Sequence, residues 1–378
     1  YQSGWSVGNF KPTFGGYNVK EAYLETAVPL AKGLNFNGAV RATDYSTSGY
    51  VTTWKIGGTW QPVRDVLFRA TQSRDIRAPN INELYNAGTS QTTSIVDPAT
   101  GNTQTVLSNT TGNTNLKPEK ANTTVVGAVL TPRWVPGLSI SVDWFHTKIK
   151  DAIEQFYPQS IVDECYQGLS QFCSAIRTDP TGTRNLLINT SPFNFAKIET
   201  SGIDIDASYR FPLKNIIKDA GGYFMIQGQA SNYLKYVSDS GLSYTVDTAG
   251  DISSGPPSWI YRFSATYSNR NYSITAIARG ISSGNYSNSY VQCSGNCATY
   301  NANYPSINNN HVSGIFYFDM NFTYKLAFEG IGKAQIFLNV TNLGNANPIL
   351  LPESGLAADS SYSSLLGRTY RGGVRLEF

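Results

Sequence analysis

The sequence predicts a transmembrane antiparallel β-barrel, an all-β fold, and three observations carry that prediction. Apolar and polar residues alternate strictly along much of the chain. The alternating segments mostly run about ten residues or longer, against about five or six for an ordinary strand, and that length suits a tilted crossing of a bilayer. The connections between them alternate short and long, as in outer-membrane barrels and unlike soluble sandwiches.

About 13 such strands follow one another, at 17–30, 34–46, 50–61, 65–73, 119–133, 137–150, 195–211, 221–236, 257–268, 271–281, 313–326, 333–342 and 367–378. The last shows the pattern best. Tyr370, Gly372, Val374, Leu376 and Phe378 share one face, and Thr369, Arg371, Gly373, Arg375 and Glu377 the other. In the sixth, Leu138, Ile140, Val142 and Trp144 alternate with Ser139, Ser141, Asp143 and Phe145. The seventh sets Ile203, Ile205, Ala207 and Tyr209 against Asp204, Asp206, Ser208 and Arg210. No stretch holds a helical period for three turns. Short turns come at Lys32-Gly33, Gln61 to Arg64, Val135-Pro136-Gly137, Pro212 to Gly221, Asn269-Arg270 and Gly330 to Gly332. Long polar loops lie between them, at 74–118, 151–194, 237–256, 282–312 and 343–366, and 46–49 is the short exception. If the final strand descends to the periplasm, every long loop falls outside the cell and every short turn in the periplasm. The apolar faces would then meet lipid and the charged faces the lumen. Tyr23, Trp54, Trp60, Trp134, Trp144, Tyr209 and Tyr267 are candidates for the interfacial girdles.

Composition removes other classes. The 378 residues carry 29 Lys+Arg against 26 Asp+Glu, a net charge of +3 that points to no nucleic acid partner. Charged residues are 15%, below the roughly 25% of soluble domains. Apolar runs fall far short of the roughly 20 residues of a membrane helix. With two His and four Cys, and without HExxH, neither a metal site, a cofactor nor an enzyme is expected. His146 lies on a mainly apolar face, where an interfacial role suits it better than catalysis. The cysteines form two close pairs, Cys165/Cys173 and Cys293/Cys297, read as two local disulfides of an oxidising compartment, with free thiols as the alternative.

An odd strand count leaves two sheet edges unpaired, which lipid does not tolerate. The chain is therefore expected to be the C-terminal part of a larger barrel, the remaining strands belonging to the same or a separate polypeptide.

Several segments, in order, resemble the C-terminal half of a TonB-dependent outer-membrane receptor. Ser73-Arg74-Asp75-Ile76-Arg77-Ala78-Pro79-Asn80-Ile81-Asn82-Glu83-Leu84-Tyr85 resembles that family's FRAP-x-x-x-EL segment, with Ile76 where Phe or Tyr is usual. Gly112-Asn113-Thr114-Asn115-Leu116-Lys117-Pro118-Glu119 is similar to its GN-x-x-LKPE segment. Pro136 to Phe145 with Lys148 to Ile153, Thr200 to Asp206, Leu338 to Leu343 and the ending Gly367 to Phe378 also resemble family strands. The resemblance implies a 22-stranded barrel around an N-terminal plug, coupled to the TonB complex. The present strands would be its last thirteen, with the plug and first strands outside residues 1–378. It further implies TonB-energised uptake of a scarce nutrient, and the Cys165–Cys173 pair resembles a loop disulfide of one subgroup.

Roles for residues follow. Arg69, Arg74, Arg77, Glu83, Asp143, Asp204, Asp206, Arg371 and Arg375 are candidates for contact with the plug or lumen, with Arg41 and Arg210 beside them. For Arg77 and Glu83 the alternative, an ion pair shaping the strand exit, is preferred. Tyr157, Tyr166, Tyr286, Tyr290, Tyr300, Tyr304 and Tyr362, among many Asn and Ser, are candidates for ligand contact in the loops. The loops hold no basic cluster, which favours a neutral carbohydrate slightly over a siderophore. Phe378 reads as the signal for the barrel assembly machinery. A passive porin and a structural or adhesive barrel remain as alternatives.

Overall fold

A computed structural model of the chain describes residues 9–180, 182, 185–218, 221–239, 245–297, 305–328, 332–351, 357–359 and 361–377. Its main element is a 13-stranded antiparallel sheet in which sequential neighbours pair throughout. The strands are β1 (Val19–Ala31), β2 (Leu34–Tyr45), β3 (Gly49–Val63), β4 (Val66–Arg77), β5 (Glu119–Leu130), β6 (Leu138–Glu154), β7 (Phe193–Pro212), β8 (Tyr223–Asp239), β9 (Trp259–Ser268), β10 (Tyr272–Ile281), β11 (Ile315–Phe328), β12 (Gly332–Thr341) and β13 (Thr369–Glu377). Each corresponds to one strand expected from alternation. β4 and β6 run four residues further than the alternation suggested. Among the described residues no helix is long and apolar enough to cross a membrane.

Alternation sets the two faces. Trp54, Val126, Trp144 and Ile203 stand on one face, because Val126 pairs with Trp144 and Trp144 with Ile203. That face leaves large apolar groups uncovered by protein, among them Leu24, Trp60, Phe263, Phe318 and Val374. At the short-turn end it carries a row of rings from β7 to β11. Tyr209, Phe211, Phe224, Tyr267, Tyr272 and Phe322 follow one another at centroid distances of 4.7, 6.0, 6.0, 5.6 and 6.5 Å. Such a belt belongs at a membrane interface, where a ring is wet on one side only. Tyr23 departs from the expectation. It sits on the polar face, 5.7 Å under the Arg41 guanidinium, because it pairs with Arg41 rather than with an apolar residue. Trp134 lies in the turn between β5 and β6.

The short turns are built for reversal. Gly137 takes φ +92°, and a Cβ there would stand 2.0 Å from the carbonyl oxygen of Arg210. A residue with a side chain fits neither the backbone nor the space. Beside it Asp65 accepts from the Arg133 guanidinium at 2.8 Å, tying two short turns together.

The long connections are not the plain polar loops expected of them. Segments 78–118 and 155–192 fold into one cap. Within it, strands Thr89–Val96 and Thr103–Thr110 form a hairpin, and Leu186–Asn189 adds in parallel to the second of them. Asn9–Phe10 and Ile176–Thr178 complete a five-stranded sheet. Helices α1 (Ile81–Tyr85), α2 (Pro158–Tyr166) and α3 (Ser170–Cys173) accompany it, and Cys165–Cys173 joins α2 to α3. Ile95, Val106, Ile161, Phe172 and Ile188 form its core, each under one tenth exposed. A second cluster gathers the later loops. Ile252, Val312 and Ile349 pack there on Ile281, Ile315 and Tyr317 of β10 and β11. Its wall residues belong to the polar face, so these loops fold back over the lumenal side. Cys293–Cys297 closes a small loop in the same region.

Candidate lumenal and ligand-binding site

Two motifs of the sequence meet at the exit of β4. Arg77 reaches Glu83 at 3.0 Å and Glu119 at 2.6 Å. Asn80 caps α1 by accepting from the Glu83 backbone N–H at 2.8 Å, and the Glu83 carboxylate accepts from the Asn80 N–H at 2.8 Å. Asn113 donates its N–H to the Glu83 carbonyl at 2.8 Å. Leu84 and Leu116, both 1% exposed, close the corner. Gly112 lies against this turn, where a Cβ would meet the Leu84 carbonyl at 2.6 Å. The arrangement is a fastened strand exit that holds the base of the cap. The guanidinium stays half exposed.

The polar face receives most of the expected lumenal charges. Arg69 donates Nε to Asp143 at 2.7 Å. Asp204 accepts from Ser231 at 2.6 Å and Asp206 from Gln229 at 3.0 Å. Arg371 and Arg375 pair in register with Asn339 and Gln335 on that face. Arg210 lies 4.0 Å over the Tyr223 ring. Arg74 lies elsewhere. It is on the apolar face, with Nε 3.0 Å from Asn122 Oδ1, because it lies five positions after Arg69 in an unbroken ladder. An odd offset along a strand reverses the face, so Arg74 stands on the face opposite Arg69.

The later loops cover a lumenal pocket of about 390 Å³ lined by Arg262, Arg279, Tyr317, Ser361 and Tyr362. Arg262 and Arg279 are cross-strand partners on β9 and β10. The Arg279 guanidinium donates to Asp319 at 2.9 Å and stands 4.8 Å from the centroid of the Tyr317 ring. Tyr317 is 1% exposed, and its hydroxyl accepts from the Ser364 N–H at 2.9 Å. The pocket thus combines aromatic surface with guanidinium groups, which suits an anionic or aromatic solute. Of these residues the sequence singled out only Tyr362, among the loop tyrosines. The available signal was the polar register of β9 and β10, which sets two arginines side by side once the strands pair.

The loop tyrosines are divided. Tyr157 and Tyr166 stand exposed on the cap, 80% and 63%. Tyr286 and Tyr290 pack together with centroids 5.6 Å apart, and Tyr286 rests on the second apolar cluster. Tyr300, Tyr304 and Phe378 lie outside the described residues. A second pocket of about 390 Å³ opens beneath the cap, lined by Lys117, Asp151, Phe156, Phe172, Phe193 and Asn194, among others. Glu164 on α2 is 8% exposed, and its Oε2 has no partner among the described residues. Burial holds that carboxyl above its ordinary range. His146 stays on the apolar face as expected, with Nε2 2.9 Å from Glu199 Oε1. Among the described residues no group of three or more His, Cys, Asp or Glu is placed to hold a metal ion.

A lipid-facing antiparallel wall, aromatic at its margin, polar within and capped by folded loops at one end, defines a transmembrane barrel of the outer-membrane type. The chain belongs to the TonB-dependent receptors, whose β-barrel model (TonB dependent receptor-like, beta-barrel) matches residues 2–343. Solved structures agree on the fold. The siderophore receptor PirA of Acinetobacter baumannii is 14% identical with a TM-score of 0.62, covering 96% of this chain and 46% of its own. A mutant ferric enterobactin receptor of Pseudomonas aeruginosa, in complex with enterobactin, is 13% identical with a TM-score of 0.62, covering 95% and 45%. The ferric-catecholate import receptor Fiu of E. coli is 16% identical with a TM-score of 0.52, covering 96% and 45%. The chain spans about half the length of these receptors. No curated protein sequence is similar to it. The matched family and these neighbours are receptors, not enzymes.

Proposed function

We propose that this chain is the C-terminal barrel portion of a receptor that takes up a ferric siderophore across the outer membrane, driven through TonB. The carrying observation is the loop-covered lumenal pocket, where Arg262 and Arg279 meet Tyr317 and Tyr362. Guanidinium groups and rings together suit an anionic aromatic chelate. The sequence-level preference for a carbohydrate rested on loops without a basic cluster. Here the cationic groups come from wall strands, so that argument loses its force, and the structural neighbours bind siderophores. The long-loop end faces the outside in this reading, and Arg69, Asp143, Asp204, Asp206, Arg371 and Arg375 face a plug.

Uptake of a labelled ferric siderophore by iron-starved cells tests the proposal. Uptake is expected to stop with a protonophore and to fall severalfold in Arg262→Gln. Uptake of neutral oligosaccharide instead, or influx indifferent to the protonophore, would replace it with a sugar transporter or a passive porin.

A further inference from the structure

The pocket beneath the cap shares no lining residue with the lumenal pocket. Its cap side is apolar: Phe156, Ile161 of α2, Phe172 of α3, and Ala175 just beyond. Phe156 meets Phe172 edge-on, with ring centroids 5.2 Å apart. The wall adds Phe193, at the start of β7. Every polar lining residue comes from the strand exits rather than from the cap helices. Ile161 and Phe172 are 2% and 6% exposed, whereas Lys117 and Asp151 are exposed. The apolar lining is therefore the deep end and the two charges stand at the mouth. The volume of about 390 Å³ falls in the range of small-molecule sites, roughly 300–1,000 Å³.

One amide arranges that mouth. Asn194 Nδ2 donates to the carbonyl oxygens of Lys117 and Asp151, at 2.7 Å each, and Asn194 Oδ1 accepts from the Lys117 N–H at 2.6 Å. The two charged residues therefore start side by side. Asp151 owes its place to a bulge. Between the Ile149–Ile198 and Ala152–Ala196 pairs, β6 holds one residue more than β7, and Asp151 takes a left-handed φ of 57° there. A bulge re-aims the side chain it carries. The neighbouring charges nonetheless do not pair with each other. Among the described residues no carboxylate pairs with the Lys117 ammonium, and Asp151 reaches only Lys120, at 3.9 Å.

We infer that the cap pocket binds a free aromatic α-amino acid, with phenylalanine the best fit. The ring enters the apolar end, the carboxylate meets Lys117 and the ammonium meets Asp151. A ligand with one charge satisfies one of these groups and opposes the other, so the mouth selects a zwitterion. The deep end holds no partner for a phenol hydroxyl, which would be left unsatisfied on burial; that favours phenylalanine over tyrosine. Once bound, the amino acid braces the cap against the wall. The inference stands apart from the siderophore reading and from the orientation of the barrel.

Equilibrium dialysis of radiolabelled L-phenylalanine against the full receptor in detergent tests this. Saturable binding is expected. Phenethylamine and 3-phenylpropionate carry the same ring with one charge each, and both are expected to compete about tenfold more weakly or worse. Lys117→Gln and Asp151→Asn are each expected to weaken binding by about the same factor. Asn tolerates the left-handed backbone at 151, and the bonds of Asn194 to Lys117 use only the Lys117 main chain. An unchanged heat-dependent shift in gel mobility shows that each variant is folded, and the analogue series needs no variant at all. Saturating L-phenylalanine is expected to slow proteolysis within 155–192 about tenfold or more, since it binds only the closed cap. Absence of saturable binding, equal competition by either analogue, unaltered affinity in both variants, or a cap cleaved at the same rate would overturn the inference.

Discussion

Asn342 is fully buried with a left-handed backbone, φ 54°. Its N–H donates to Asp319 at 2.8 Å, and its side chain exchanges two hydrogen bonds with Ala346 at 2.9 and 2.8 Å. Asn adopts that conformation at lower cost than other residues bearing a side chain. Asn342→Ala loses both the backbone preference and the two side-chain bonds, about 3 kcal/mol locally. Asn342→Gly keeps the conformation and is expected to recover about 1–2 kcal/mol of that loss. Hydrogen exchange across 342–346 measures both. The Asn-Leu motif of the sequence is thus a turn device. It holds Asp319, which in turn holds Arg279 at the lumenal pocket.

The cap is the element with an interior of its own. Ile188 is 0% exposed within it, so Ile188→Ala is expected to cost about 3 kcal/mol of cap stability, read as faster proteolysis of 86–112 with the barrel intact. Reduction of the two disulfides is likewise expected to loosen loops and leave the strand signal in circular dichroism unchanged. Both bridges lie outside the wall strands. Glu164 gives the cap a pH dependence. Burial raises its carboxyl above the ordinary 4.5, so the folded cap binds that proton more tightly than the unfolded one. Its contribution is fully present below 4.5 and is lost as pH rises through the folded value. The cap should resist protease better at pH 5 than at pH 7, and Glu164→Gln should flatten that difference. A steeper dependence in the variant would exclude Glu164 as its source.

At the scale of the molecule, β1 and β13 each have a partner on one side only among the described residues. Each unpaired backbone group in hydrocarbon costs several kcal/mol, so two edges left open in lipid would be costly. Residues 1–378 refolded alone into vesicles are expected to give no compact, heat-resistant monomer, whereas a chain carrying further strands that pair with both edges should. A compact monomer from these residues alone would mean that β1 and β13 pair directly. The molecule is also inverted in its burial. Among the largest fully buried side chains, Leu84, Ile95, Leu116 and Ile161 lie at or within the cap and Tyr317 lies under the later loops, while the outer side of the wall leaves its apolar groups uncovered.

Alternation by itself determined the wall: thirteen strands, their order, and the face of every residue within an unbroken ladder. A period of two is local, and it needs only neighbouring residues to be read. The family motifs were legible for the same reason, as contiguous residues at the β4 exit and the β12 end. Tertiary structure decided the rest. Arg262 and Arg279 became a pair only through strand pairing. The cap sheet joined residues about 80 positions apart, as in the Leu107–Leu187 pairing, and short strands among Thr, Ser and Asn read as loop until their partners are present. Arg74 fell on the lipid side because the face depends on counting from an anchored neighbour, while charge alone had suggested the lumen. Local periodicity specifies a surface, and contacts between distant segments specify the sites on it.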